Sequence, residues 1–164
     1  MELIELTIND QEKYKRFFIR GLLEHKDNFR MSANDEEQEA FPTKGTSDSF
    51  TLACVTAEGE LAGVVSFERE GAKREKLRHK GLLFRMYVSA DFAGQGIGKR
   101  LVQETIERAK KTDIEQVNLT VVSSNTIAKN LYHKFNFKTF SVEERAMKDG
   151  NKYLTEEQMV LFIK

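Results

Sequence analysis

The stretch VSADFAGQGIGKRL, Val88 to Leu101, decides how this chain reads. An apolar run, Leu82 to Val88, leads into a turn with glycines at Gly94, Gly96 and Gly98, and an amphipathic pattern starts directly behind them. Glycine has no Cβ, so main-chain N–H groups can approach a ligand closely. The first turn of a helix has N–H groups without intrahelical partners, and the helix dipole adds partial positive charge there. Strand, bare turn and helix start together form a seat for a phosphate or pyrophosphate.

The helix can be tested by turning about 100° per residue. Ile97, Leu101, Val102, Thr105, Ile106 and Ala109 then share one half-circle, while Lys99, Arg100, Gln103, Glu104, Glu107, Arg108, Lys110 and Lys111 take the other. Gly98 falls near the middle of the apolar half, where a missing side chain also permits close packing. Two common phosphate loops do not fit the turn. The dinucleotide fingerprint, counted from Gly94, ends on Lys99 instead of glycine, and Asn118 stands where a ribose-binding carboxylate is needed. A triphosphate loop ending at Gly98-Lys99 needs glycine at 93 and Ser or Thr at 100, where this chain has Ala93 and Arg100.

The chain of 164 residues has the size of one domain, 1–164, able to bury a core without disulfides or metal. Its 26 basic and 26 acidic residues cancel, so no net field points to nucleic acid or to an anionic membrane. No apolar run approaches membrane-spanning length. The one cysteine, Cys54, lies in the apolar run Phe50 to Val55 and reads as a buried inert thiol rather than a nucleophile. Cysteine scarcity and the charged start (Glu2, Glu5, Asp10) suit a cytoplasmic protein.

Leu3 to Ile8 alternates as a strand, and Asn9 or Asp10 is placed to cap a helix with Tyr14, Phe17, Phe18, Gly21 and Leu22 on one side. Residues 26 to 48 are polar, acidic around Asn34 to Glu39, and read as a long connection holding a short helix. Phe50 to Thr56 and Leu61 to Phe67 form a hairpin around Ala57-Glu58-Gly59-Glu60. The mixed-charge segment 68 to 80 reads as a solvated loop, with its basic residues diluted by Glu68, Glu70 and Glu75. Val117 to Val122 is a further strand. A helix starts at Ser123-Ser124-Asn125, with Ile127, Ala128, Leu131 and Phe135 expected inside and Tyr132 at the edge of that face. Asp149-Gly150 marks a last hairpin between Phe137–Met147 and Tyr153–Ile163. The order of elements is that of a mixed α/β fold.

Two segments carry a resemblance. Ala93-Gly94-Gln95-Gly96-Ile97-Gly98 resembles the Gln/Arg-x-x-Gly-x-Gly/Ala acyl-CoA motif of the GNAT acyltransferase superfamily. Asn125-x-x-Ala128-x-x-Leu131-Tyr132-x-x-Phe135-Asn136-Phe137 resembles that family's Asn-x-x-Ala-x-x-Leu-Tyr-x-x-x-Gly-Phe segment. The likeness is strongest over 82–137. It implies a central twisted, mostly antiparallel sheet of about seven strands flanked by about four helices. Three positions depart from the pattern. Ala93 replaces the usual Arg or Gln, and Asn136 replaces a glycine but also tolerates the left-handed conformation. Phe84 and Arg85 stand where many relatives carry a glutamate.

The resemblance implies an N-acetyltransferase that moves an acetyl group from acetyl-CoA to a primary amine, by direct attack in a ternary complex and without metal. Gly94, Gln95, Gly96, Ile97, Gly98 and Lys99, with Ala93, would hold the pyrophosphate. Met86, Tyr87 and Val88 would pair with the pantetheine arm like an added strand, and an N–H near Val88 would polarise the thioester carbonyl. Asn125 would contact that arm, cap its helix, or both. Tyr132 would be the general acid for the departing thiolate, against the plainer reading of a rim tyrosine with buried ring and wet hydroxyl. The base is open. Glu68 and the carboxylates of Asp35 to Glu39 are candidates, although each reads first as a solvated side chain. His25, His79 and His133 show no partner pattern, and no His/Cys/Asp cluster has metal-ligand spacing. The acceptor is a small-molecule amine or a protein amine, and nucleic acid and membranes are not expected partners. Relatives often pair through their C-terminal strands, so a homodimer is compatible with the family, though nothing in this sequence decides it. The competing reading is a non-catalytic acyl-CoA-binding or regulatory module that kept the seat and lost the base.

Overall fold

The apolar runs assemble into one sheet, ordered β1-β2-β3-β4-β5-β7-β6, in the computed structural model, which describes residues 1–164. The strands are β1 (Glu2–Leu6), β2 (Ser49–Val55), β3 (Leu61–Arg69), β4 (Lys80–Val88), β5 (Gln116–Val122), β6 (Lys138–Asp149) and β7 (Lys152–Phe162). The helices are α1 (Gln11–Glu24), α2 (Ala33–Gln38), α3 (Ile97–Lys110) and α4 (Thr126–Lys134). Every neighbouring pair is antiparallel except β4 with β5. This is the mixed α/β architecture expected from the sequence.

The two faces carry separate cores because side chains alternate along each strand. On one face α3 buries Ile97, Leu101, Val102, Thr105, Ile106 and Ala109, the half-circle drawn from the sequence. They meet Phe50, Leu52, Cys54, Val65, Phe67 and Leu83. A fully buried Leu101 or Val102 stabilises by about 1.5–3 kcal/mol. On the other face α1 buries Tyr14, Phe17, Phe18, Gly21 and Leu22 against Ala53, Val55, Leu61, Val64 and Tyr87. Cys54 is fully enclosed.

Several local expectations are corrected. The first strand ends at Leu6, and Ile8 is 63% exposed. Thr7 caps a 3-10 turn, Ile8–Asp10, with the Asp10 carboxylate accepting from the Thr7 N–H at 2.8 Å, and Asp10 then stands at the N-cap position of α1 without a side-chain cap bond. A reciprocal capping box satisfies more orphan donors than a single side chain. The segment 68 to 80 is not wholly solvated. Arg69 ends β3 with its guanidinium buried, bound to Asp48 at 2.8 Å and Asp113 at 2.5 Å. It pins the β3 end to the α3–β5 connection.

α4 also departs in part from its expected face. Ile127 points outward and is 85% exposed, whereas Tyr132 is its buried residue. Ala128, Leu131 and Phe135 are partly buried against the core as expected, so the difference is confined to Ile127 and Tyr132. Asn136 takes φ 68° directly after α4, the left-handed role foreseen for it.

Candidate active site at the opening between β4 and β5

β4 and β5 run together only from Lys80–Leu82 to Gln116–Asn118 and then part. From Leu83 to Val88, the β4 edge that faces β5 has no ladder partner, so its main-chain groups line an opening. A bulge at the same place alters β4. Val64 pairs with Tyr87 and Ser66 with Phe84, so Arg85 and Met86 together face Val65. Arg85 adopts φ 51°, a left-handed conformation uncommon outside glycine. The extra residue shifts the side-chain phase by one. Met86 and Val88 thereby pack on the α3 side and Tyr87 on the α1 side.

At the top of the opening the chain passes through the glycine turn. Gly94 has φ 77° and Gly96 φ 73°, and nothing lies within 4 Å of a Cβ built at either. The first main-chain bond of α3 runs from the Arg100 N–H to the Gly96 carbonyl at 3.1 Å. Every main-chain N–H from Gly94 to Lys99 is therefore without a partner within the chain. Ala93, Gly94, Gln95, Gly96 and Lys99 are exposed, so these donors face open space, whereas the Ile97 side chain is core. A row of free N–H groups on positively disposed backbone fits a pyrophosphate. Gly98 is the closely packed position that its place on the helix suggested, since a Cβ there would sit 3.1 Å from Leu131 and 3.3 Å from Met86.

The other sequence candidates divide. Val88 and Met86 present main chain to the opening. Tyr87 does not reach it: its ladder partner is Val64 of β3, and its ring is 4% exposed among Phe17 and Phe29 on the α1 side. Asn125 is a helix cap, its side-chain oxygen accepting from the Ala128 N–H at 3.2 Å. Tyr132 lies on the α3/α4 side, 5% exposed, edge-on to Phe137 at 5.8 Å. Burial pushes its phenol well above the ordinary range, so the hydroxyl holds its proton and can only donate it.

The acidic candidates behave unlike solvated carboxylates. Glu36 is 1% exposed and receives a hydrogen bond from Arg85 Nη1 at 2.7 Å. Burial raises its proton affinity and the Arg85 charge opposes that rise. The Tyr14 hydroxyl beside this pair is enclosed and unpartnered, and burial pushes its pKa up to about 12. Asp35 instead caps α2, accepting from the Ser32 N–H at 2.8 Å. Glu68 is raised by burial as well, but it pairs with Leu82 on the far side from β5, level with the closed end of the opening.

Two groups were not singled out from the sequence. Arg30, between α1 and α2, donates to Glu156 of β7 at 3.2 Å, and Glu156 is 2% exposed. Asp27, from the same connection, pairs with Lys152. The α1–α2 connection thus straps from the β4 side of the opening to the β7 side. The signal available was weak: Glu156 is a charge in phase with Leu154 and Val160 on its strand.

A mostly antiparallel seven-stranded sheet, opened at its one parallel pair with a turn of unpaired N–H groups above the gap, defines an acetyltransferase-type α/β fold. A model of the acetyltransferase (GNAT) family matches residues 12–137, more than half of the chain, and the chain belongs to that family. Among solved structures, an acetyltransferase of that family from Streptococcus pneumoniae superimposes with TM-score 0.83 at 22% identity, covering 99% of each chain. An N-acetyltransferase from Staphylococcus aureus gives TM-score 0.82 at 17% identity, covering 99% of this chain and 98% of that one. A ribosomal-protein-alanine N-acetyltransferase from Brucella melitensis gives 0.78 at 16%, covering 99% and 100%. At these identities the likeness is one of fold.

Proposed function

We propose that this protein is an acetyl-CoA-dependent N-acetyltransferase acting on a primary amine by direct attack in a ternary complex. The observation that carries this reading is the row of unpaired N–H groups from Gly94 to Lys99 above an unzipped strand edge. The turn holds the pyrophosphate, and the Met86–Val88 edge aligns the pantetheine arm as an added strand. Acetyl-CoA supplies the activated thioester, with no metal in the reading. A main-chain N–H near Val88 donates to the carbonyl oxygen as negative charge develops there; such a donor is typically worth about two to three powers of ten in rate. Tyr132, kept protonated by burial, gives its proton to the departing sulfur. Asn125 fixes the start of the helix that carries Tyr132. Cytoplasmic residence accords with the single enclosed thiol.

Calorimetry with CoA and acetyl-CoA tests the seat, and thiol release with a panel of small and peptide amines tests the transfer. Saturable binding together with turnover supports the enzyme. Binding without turnover across the panel shifts the reading to an acyl-CoA-binding module. Absence of binding overturns both.

A further inference from the structure

We propose that Glu156 is the general base of this site, taking the proton from the acceptor amine. The inference rests on the acetyl-transfer reading and supplies the group that reading lacks. β4 and β5 start in step, Lys80 beside Gln116 and Leu82 beside Asn118. Continuing that step, with the extra residue of the 85–86 bulge counted, brings Tyr87 level with Val122, and the ladder partner of Val122 on β7 is Glu156. Glu156 is therefore the carboxylate on the rung that faces the proposed thioester-binding edge across the gap.

Its face is also suitable. Met159 is in the α3/α4 core and Glu157, in phase with it, is bound to Lys129 of α4 at 2.7 Å. Alternation puts Glu156 on the opposite face, with α1 and the Arg30 connection. Base and acid thus lie on opposite sides of the gap. An amine entering from the α1 side meets Glu156, while sulfur leaves toward Tyr132.

The other carboxylates are engaged or misplaced. Glu36 is held by Arg85, Glu157 by Lys129 on the wrong face, and Glu68 sits at the closed end beyond β4. Glu156 has one charged partner, Arg30, whose side chain is 66% exposed and arises from a connection rather than from the sheet. Glu143 pairs with Glu156 across β6 and shares its face.

In the step, the acceptor ammonium gives one proton to the Glu156 carboxylate, and the freed nitrogen lone pair forms a bond to the acetyl carbon. The carbon–sulfur bond breaks, its electron pair stays on sulfur, and sulfur takes the Tyr132 proton. The Tyr132 phenolate takes the second proton from nitrogen, through water, as the neutral amide forms, and Glu156 returns its proton to water.

The test compares two nucleophiles in the full chain with acetyl-CoA near neutral pH. One is the best alkylamine among spermidine, lysine amide, alanine amide and tyramine; the other is hydroxylamine, already neutral and in no need of a base. E156Q is expected to slow the alkylamine reaction about 100-fold, with hydroxylamine turnover held within about threefold. Its alkylamine rate should also climb about tenfold per pH unit as free amine accumulates. Calorimetric CoA affinity should match the parent. Equal losses with both nucleophiles, or no loss with either, overturn the assignment. An unmutated protein inactive toward both overturns acetyl transfer itself. Where E156Q does not fold, E156D withdraws the charge by one methylene and the same comparison decides: a loss confined to the alkylamine supports the base, and equal behaviour refutes it.

Discussion

Replacing Arg85 with methionine removes the guanidinium from Glu36 while keeping an unbranched stem in the bulge. Glu36 is 1% exposed and its arginine partner only 13%, so the remaining carboxylate gains little solvation from water. Breaking such a pair costs about 3–5 kcal/mol, which for a chain of this length lowers Tm by about 6–20 °C. The loss depends on pH in a definite direction. Burial already raises Glu36 above its ordinary 4.5 and Arg85 opposes that rise, so R85M raises it further. Between the unfolded and folded values the native state binds more protons, and stability therefore falls as pH rises through that window. Urea unfolding of the parent and of R85M should thus show a small difference near pH 5 and the full difference near pH 8, at about 1.4 kcal/mol per unit of additional shift. Adding Glu36→Met to R85M should recover most of the loss, because the uncompensated charge disappears. A loss below about 1 kcal/mol at both pH values, or one independent of pH, would refute the reasoning.

Gly21→Ala is expected to destabilise by about 1–3 kcal/mol through overpacking, since its Cβ would lie 2.8 Å from the Tyr87 ring that Phe17 and Phe29 hold. Thermal denaturation reads this loss, and an unchanged Tm would mean that the ring yields. Asn125→Ala removes the α4 cap and should cost about 1 kcal/mol in chemical denaturation. Asn125→Asp should retain the cap, so equal losses would show that the hydrogen bond is not what matters. Tyr132→Phe should lower kcat at least tenfold at unchanged CoA affinity, and unaltered turnover would remove Tyr132 from the proton path. Gly96→Ala forces an L side chain to φ 73° and should disturb the seat at a cost of about 1–2 kcal/mol, read as weaker CoA binding by calorimetry.

What was legible in advance was local. The α3 and α1 faces follow from a 3.6-residue period, and the structure buries the same side chains that the period selects. The glycine turn was legible because positive φ and a bare backbone demand glycine. The α4 face was read correctly at Ala128, Leu131 and Phe135 but not at Ile127 and Tyr132, since period alone does not fix which edge of an apolar arc turns inward. The solvated reading of Glu36 and Arg69 failed because a charge can be buried when a distant partner arrives, Arg85 for one and Asp48 for the other.

The amino-acid order by itself therefore determined the elements, the glycine turn from Gly94 to Lys99, and the family resemblance, all of which depend on residues close together along the chain. Only the tertiary structure decided which strands part, which way the β4 bulge turns Arg85, and that Glu156 is buried on β7 with Arg30 of a distant connection as its partner. Those features join segments far apart in sequence. Sheet order and register, settled by global packing, set them, and no local pattern encodes that choice.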